Sequence, residues 1–279
     1  MKFRLHMILF LLVLSGSVLA AGNKPLTLKV MQYNIHHGAD ESNKMNLDRQ
    51  ADLIANEKPD LVSLNECYGG GVKFGNQAKE LADLLNKRTG KKWYWAHGTN
   101  VKFVTELYGT AVLSKYPIKK YTNLHLPRVP ESNEQRGLLS ADIQIPNAPL
   151  FRFHVTHLAF QGFATTEREL SVAEIEKARK AFSGPQILAG DFNSRPAAPC
   201  IQTLVKNWQD TWVSVHGDKS EGYTFNALNP KQRIDYIFVP RDPSFSVITS
   251  YVPDDDLAKT VSDHRPLVSV IQYLSAKKK

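Results

Sequence analysis

The run Gln186-Ile187-Leu188-Ala189, followed by Gly190-Asp191-Phe192-Asn193 and Ser194-Arg195-Pro196, decides how this chain is read. This short run, apolar from Ile187 to Ala189 and partly β-branched, predicts a short buried strand. The glycine with an acid and an amide just beyond it predicts a strand end that holds polar side chains over a sheet edge. Asp191 and Asn193 are two apart, so in an extended backbone they point the same way. A carboxylate and an amide on one side can share a metal ion, a water or a phosphate oxygen. An ordinary Asx-turn is the plainer reading of the same residues. The other strand ends decide between the two.

Working outward, Leu26 to Tyr33 alternates apolar and polar residues and predicts a strand ending at Asn34-Ile35-His36-His37-Gly38. Leu47, Ala51, Ile54 and Ala55 fall at helical spacing before Pro59. Leu61 to Leu64 is a second strand, ending at Asn65-Glu66, and Gln77 to Lys87 a second helix with Gly90 beyond it. Strands are predicted at 92–96, 110–114, 138–145 and 150–156, and a helix at 166–182 with a capping box of Thr166 and Glu169. After the central run come a short helix at 197–206 and strands at 223–225, 234–239, 246–252 and 267–273. No linker or repeat interrupts this alternation. It predicts one domain over residues 21–279, two packed sheets with helices outside.

Composition fits that reading: 42% apolar and 22% charged residues are ordinary for a chain that buries a real core. Residues 1–20 read instead as a secretory signal peptide. Lys2 and Arg4 precede an apolar stretch from Met7 to Leu14, and Val18-Leu19-Ala20 offers a small-residue cleavage site. That predicts a secreted or periplasmic protein. Without Lys2 and Arg4, 33 basic residues stand against 27 acidic ones, a net charge near +6. Such an excess suits a polyanionic partner, nucleic acid or an anionic lipid surface, and equally a soluble basic surface. Cys67 and Cys200 each follow closely on a polar strand end, and are either a disulfide at one rim or two separate buried thiols.

The polar strand ends recur. Asn34 and Glu66 follow the first two strands, His157 closes Phe151-Arg152-Phe153-His154-Val155-Thr156, and Asp263 and His264 precede the last strand. In layered sheet proteins, strand ends on one edge converge and bind ligands. Asp235 lies inside the apolar Ile234-Asp235-Tyr236-Ile237-Phe238, where a carboxylate is costly unless paired. His264 is the expected partner, an acid that fixes the imidazole tautomer and raises its basicity; Arg233 or backbone amides are the alternative. A zinc site is disfavoured. His154 and His157 are three apart on a strand and face opposite sides, adjacent His36 and His37 meet the same difficulty, and no cysteine pair is present.

The order of Asn34, Glu66, Tyr108-Gly109 with Leu113-Ser114 and Pro117-Ile118, His157, Gly190-Asp191-Phe192-Asn193, Arg233-Ile234-Asp235-Tyr236 and Ser262-Asp263-His264 resembles the endonuclease/exonuclease/phosphatase superfamily over about residues 26–274. The resemblance implies an α/β fold, a four-layer α/β-sandwich of two mixed sheets packed face to face, and hydrolysis of phosphoesters with Mg²⁺ (or Mn²⁺ or Ca²⁺). Glu66 looks like the principal metal ligand, with Asn34 nearby and Asp263 closing the shell. Asp191 and Asn193 would orient the attacking water and the phosphate, and Asp235 with His264 would form an acid–imidazole pair. His157 resembles a second active-site histidine, for which Glu106 is the expected acid partner and which is then the better candidate for the general acid. Either Asp191 or the Asp235–His264 pair is the base. Tyr108 and Arg136 are expected on the substrate side. Asn65 stands where the family usually has glutamine, a shortened amide whose holding role is open.

The substrate is open among classes. A nuclease-type phosphodiesterase, acting on DNA or another phosphodiester as a monomer without a stable protein partner, fits the basic surface and two histidines. A phospholipid or sphingomyelin phosphodiesterase draws on Trp93-Tyr94-Trp95 as an interfacial run, although a buried strand explains the same residues. A sugar or inositol phosphate phosphatase and a non-catalytic phosphate-binding protein complete the set.

Overall fold

The apolar runs become strands covered on both faces. The structure, a computed structural model, describes residues 25–130, 134–162, 164–219 and 221–275; the expected signal peptide and the Lys277–Lys279 tail lie outside them. The first half comprises β1 (Leu26–Asn34), α1 (Leu47–Glu57), β2 (Leu61–Gly71), α2 (Gln77–Thr89), β3 (Tyr94–Lys102) and β4 (Glu106–Ser114). It is followed by β5 (Ile118–His125), β6 (Gly137–Gln144), β7 (Leu150–His157), α3 (Thr165–Lys180), β8 (Gln186–Asp191) and α4 (Pro199–Leu204). The chain ends through β9 (Trp208–Asp210), α5 (Thr211–His216), β10 (Asp235–Pro240), β11 (Phe245–Tyr251), α6 (Asp256–Thr260) and β12 (Leu267–Tyr273).

Two six-stranded sheets result, in the orders β11-β12-β1-β2-β4-β3 and β5-β6-β7-β8-β10-β9. Each is mixed, with one parallel pair among antiparallel neighbours: β1 with β2, and β7 with β8. Alternation along β1 shows why the sheets stack. Leu28 and Val30 turn inward against Phe151, Phe153, Ile187 and Ile237 of the other sheet. Met31 and Tyr33 turn outward under α1 and α2, packing with Leu53, Ile54, Leu81 and Leu85. On the far side, Leu188, Tyr236 and Phe238 pack beneath α3 and α4 through Val172, Ile175, Ile201 and Leu204. Three apolar interfaces make the four layers of an α/β-sandwich.

Layering also settles the cysteines. Cys67 belongs to the outer core under α2 and Cys200 to the outer core under α3, so both sheets stand between them and both are free thiols. Stacked sheets lie about 10 Å apart, beyond the reach of a disulfide.

Local signals hold unevenly. Asn76 caps α2 by accepting from Lys79 N at 2.9 Å, and Gly90 ends it with φ +65. The Thr166–Glu169 capping box does not form: α3 starts at Thr165 after Ala164, with no side-chain cap. Its buried Glu167 instead accepts from Val129 N at 3.1 Å, so a tertiary contact fixes the first turn. The expected strand at 223–225 is reduced to isolated bridges of Phe225 with Gln232 and His264. β5 shows no apolar alternation in the sequence because it is an edge strand, largely exposed and carrying Lys119 and Lys120.

Candidate active site

The carboxyl ends of both parallel pairs open on one cleft of about 480 Å³. Asn34 pairs with Asn65 at the end of β1 and β2, and His157 with Asp191 at the end of β7 and β8. A polar seam stitches the sheets there. Asn34 Nδ2 donates to Asp191 Oδ2 at 3.1 Å, and Asn65 Oδ1 accepts from Asp191 N at 2.9 Å. Asn65 Nδ2 also donates to Thr156 O at 2.8 Å. Gln32 donates to Asp235 Oδ1 at 3.1 Å and to Asn65 Oδ1 at 2.5 Å. The short amide of Asn65 therefore keeps a holding role, gripping Asp191 by its backbone while Gln32 braces Asp235. Gln32 was invisible as a site residue, although a glutamine between Met31 and Tyr33 in an apolar strand is the signal that marks it.

Glu66 reaches the cleft through a bulge. The register of β2 against β4 shifts between Leu64 and Cys67, and Glu66 sits at φ +56. Leu64 and Cys67 both stay in the outer core, so the bulge turns Glu66 out of strand alternation and into the cleft. Its Oε1 accepts from Asn34 Nδ2 at 3.0 Å, and the Tyr108 hydroxyl bonds the same carboxylate. Asp263 lines the cleft with it, and neither carboxylate is bridged by a lysine or arginine among the described residues.

Asp191 and Asn193 do not lie on one extended stretch. Asn193 is left-handed at φ +47 and its N–H donates to Asp191 Oδ1 at 2.8 Å, which is an Asx-turn. The plain Asx-turn reading holds, and both side chains line the cleft. The turn aims Asn193 Nδ2 at Leu158 O and at His157 Nε2, each 3.0 Å away. Gly190 allows the approach behind it, since a Cβ there would lie 2.1 Å from Thr156 O of β7.

The Asp235–His264 pair forms. Nδ1 of His264 lies 2.8 Å from Asp235 Oδ2, and Thr224 Oγ1 donates to the same oxygen at 2.5 Å. Arg233 turns elsewhere, to Asp210 at 2.7 Å. Burial by itself pushes the His264 pKa down. The charge and hydrogen bond of Asp235, then Asp191 and Asp263, outweigh burial and lift it to about 10. Asp191 is pushed up to about 7 by burial and by Asp235, against the pull of His264. Asp191, Asp235 and His264 offer ligand atoms within 4.8 Å of one another, a second place that could hold a metal ion. A proton kept on His264 competes with a cation at that trio.

His157 differs from expectation. Glu106 is not its partner: that carboxylate accepts from Lys73 N at 2.9 Å and Phe74 N at 3.3 Å in the loop after β2. Residue 106 begins β4, pairs with Gly71 across the sheet, and is drawn to the free amides of that loop. Arg136 occupies the place, its Nη1 3.0 Å from His157 Nδ1 and also paired with Glu134 at 3.0 Å. Burial, then Arg136 and His264, hold the His157 pKa well below the usual imidazole value. Its 3.5 Å approach to Asp191 is therefore not an ion pair, because a neutral ring carries no charge to pair. His157 is a poor proton donor here, and the expectation that it serves as the acid does not fit its surroundings.

Other residues on the wall went unread in the sequence: Glu134, Phe160, Phe225, Gln232 and Ile234. Glu134, Phe160 and Gln232 lie in loops that no periodicity marks, while Phe225 and Ile234 fell in the expected strands at 223–225 and 234–239 without being read as site residues. Tyr94 and Trp95 open β3 with Trp93 just before it, and the residues lining the cleft do not include them. Trp93 is buried in the outer core.

The chain belongs to the Endonuclease/Exonuclease/phosphatase family, whose sequence profile matches residues 31–264. Members of this family are hydrolases of phosphoester bonds. The uncharacterized protein YbhP of Escherichia coli K12 is 28% identical over 254 residues, covering 88% of this chain and 96% of its own. A crystal structure of an endonuclease/exonuclease/phosphatase from Beutenbergia cavernae superposes with a TM-score of 0.74 at 27% identity, over 90% of this chain and 72% of that one. The mannosyl-6-phosphatase of Bacteroides thetaiotaomicron shares the fold, with a TM-score of 0.69 at 20% identity over 88% of this chain and 99% of that one.

Proposed function

We propose that this protein is an exported, divalent-metal-dependent phosphodiesterase of nuclease type. One observation carries the chemistry: a buried imidazole held protonated by Asp235 stands 3.7 Å from a carboxylate, Asp191, whose pKa is raised to about 7. A group poised near neutral pH suits a general base, and a cationic donor suits the leaving oxygen. Asp191 takes the proton of the attacking water. His264 donates from Nε2, with Asp235 fixing the tautomer at Nδ1. Arg136 supplies N–H donors from the opposite wall, which Asn193 braces through Leu158 O and His157. Glu66 and Asp263 fit an oxygen-ligated Mg²⁺, Mn²⁺ or Ca²⁺, which would neutralise the ester's charge and stabilise the leaving oxygen, while Asn34 holds Glu66 through its Nδ2 and turns its amide oxygen to His36 N. The net positive charge of residues 21–279 supports a polyanionic diester as substrate. Export rests on the basic-then-apolar character of residues 1–20.

The test is a panel of plasmid DNA, sphingomyelin, an aryl phosphodiester and an aryl phosphomonoester, assayed with Mg²⁺, Mn²⁺ or Ca²⁺ and with chelator. Hydrolysis of diesters that chelator abolishes is expected, and on DNA it should fall steeply with salt. Preference for the monoester would move the reading to a phosphatase, and inertness toward every substrate would move it to a binding protein. N-terminal sequencing of exported material should begin just after Ala20.

A further inference from the structure

Two loop tips stand side by side at the mouth of the cleft. The chain leaving β2 makes one, Val72-Lys73-Phe74, and the β3–β4 hairpin makes the other, Phe103-Val104-Thr105. Glu106 ties them together through the amides of Lys73 and Phe74. Their inward sides are fixed by rings: Tyr68 stacks on Phe74 at 4.3 Å and meets Tyr108 at 5.2 Å, and Phe103 meets Tyr108 at 6.1 Å.

Their outward sides are bare. Val72 is 88% exposed, Val104 fully so, Phe103 53%, and Phe160, across the pocket from Phe103, 61%. Four large apolar side chains at one mouth exceed the usual scatter of single exposed residues. Lys73 and Lys102 are exposed beside them, whereas the acid of these tips, Glu106, is buried and engaged by backbone amides.

We infer that this rim is a docking surface for an anionic phospholipid bilayer. Apolar tips flanked by lysines have the composition of an interfacial anchor: the side chains enter the headgroup–acyl boundary and the ammonium groups meet lipid phosphates. Phe160 walls the cleft, and Phe103 and Phe160 wall the pocket beside it. Val72 and Val104 line neither, so a substrate held in the cleft leaves them in water, and a bilayer covers them. The inference goes beyond the proposed reaction and does not depend on which ester is cut.

The test is co-sedimentation of the full chain with vesicles of phosphatidylglycerol and phosphatidylcholine, set against pure phosphatidylcholine. Val72→Asp/Val104→Asp should lower the bound fraction about tenfold or more, each tenfold being about 1.4 kcal/mol. Lys73→Glu/Lys102→Glu should abolish the preference for phosphatidylglycerol. The apolar N-terminal segment is common to all these proteins and cannot create a difference between them. Unchanged thermal unfolding by circular dichroism verifies the fold. Hydrolysis of a soluble aryl phosphodiester should persist in the valine variant, so docking and catalysis fail separately. Equal sedimentation of wild type and valine variant, or no sedimentation of either, overturns the inference. Intact vesicle binding with lost cleavage of a single-stranded oligonucleotide also overturns it and assigns the rim to nucleic acid.

Discussion

His264 and His157 line the same cleft, are buried alike at 4% and 6% exposure, and are driven to opposite protonation states. Burial disfavours the imidazolium at both. Asp191 approaches both rings, at 3.7 and 3.5 Å; at the His264 corner Asp235 bonds the ring at 2.8 Å and tips the balance, whereas at the His157 corner the Arg136 guanidinium adds to burial. His154, buried on the other face of β7 between Ser140 Oγ and Gln186 Oε1, shows burial without a deciding ionic contact, its pKa lowered to about 4. Charge placement, not depth, separates a donor from a spectator in this molecule.

The largest effect should come from removing the charge that makes His264 different. Asp235→Asn keeps the shape but lets burial dominate, so turnover of an aryl phosphodiester should drop about 10²–10⁴-fold. An imidazole titration by NMR should show the His264 pKa falling. A loss within a few-fold would erase the distinction between the two corners.

Next in size is the acid stability set by His154. The unfolded residue takes a proton near 6.5 and the folded one only near 4, so the unfolded state binds more protons in between. Stability should be retained above about pH 6.5 and lost as pH falls toward 4, by about 3 kcal/mol. Urea midpoints for His154→Gln should fall less between pH 7 and 5 than those of the wild type.

Smaller still is the pH profile of hydrolysis. Asp191 must be ionised and His264 protonated, so the rate should rise about tenfold per unit toward pH 7 and fall above about pH 10. These limbs belong to the coupled cluster rather than to single residues. A profile flat from pH 5 to 8 would remove Asp191 as the base. The finest test is Arg136→Met, which should raise the His157 pKa in the same NMR titration while leaving His264 near its wild-type value. If His157 stays put, burial alone explains it.

The sequence carried the architecture because the core repeats along it. Apolar runs that alternate, as in β1, or lie continuous, as in β8, show which segments are buried, and Pro59 and Gly90 punctuate them. It carried the acids, amides and imidazoles too, because each closes or opens a strand that can be recognised locally. The pairing of Asp235 with His264 was legible since an acid inside an apolar strand needs a partner. The partner of His157 was not. The sequence pointed to Glu106 and placed Arg136 on the substrate side, and only the register of β2 on β4 shows that the amides after Gly71 claim Glu106.

What the chain alone determined, then, is which residues are buried and which strand ends are polar, because those follow from hydrophobic period and local punctuation. The folded molecule alone decided how polar groups about 30 to 200 residues apart fall within hydrogen-bonding distance, as Gln32 and Asp235 do at a separation of 203 residues. It also decided that Glu66 turns inward through a bulge and that two valine-tipped loops meet at the cleft. Such placements depend on strand register and loop packing, and Coulomb and hydrogen-bond energies change over a few ångströms that no local pattern encodes.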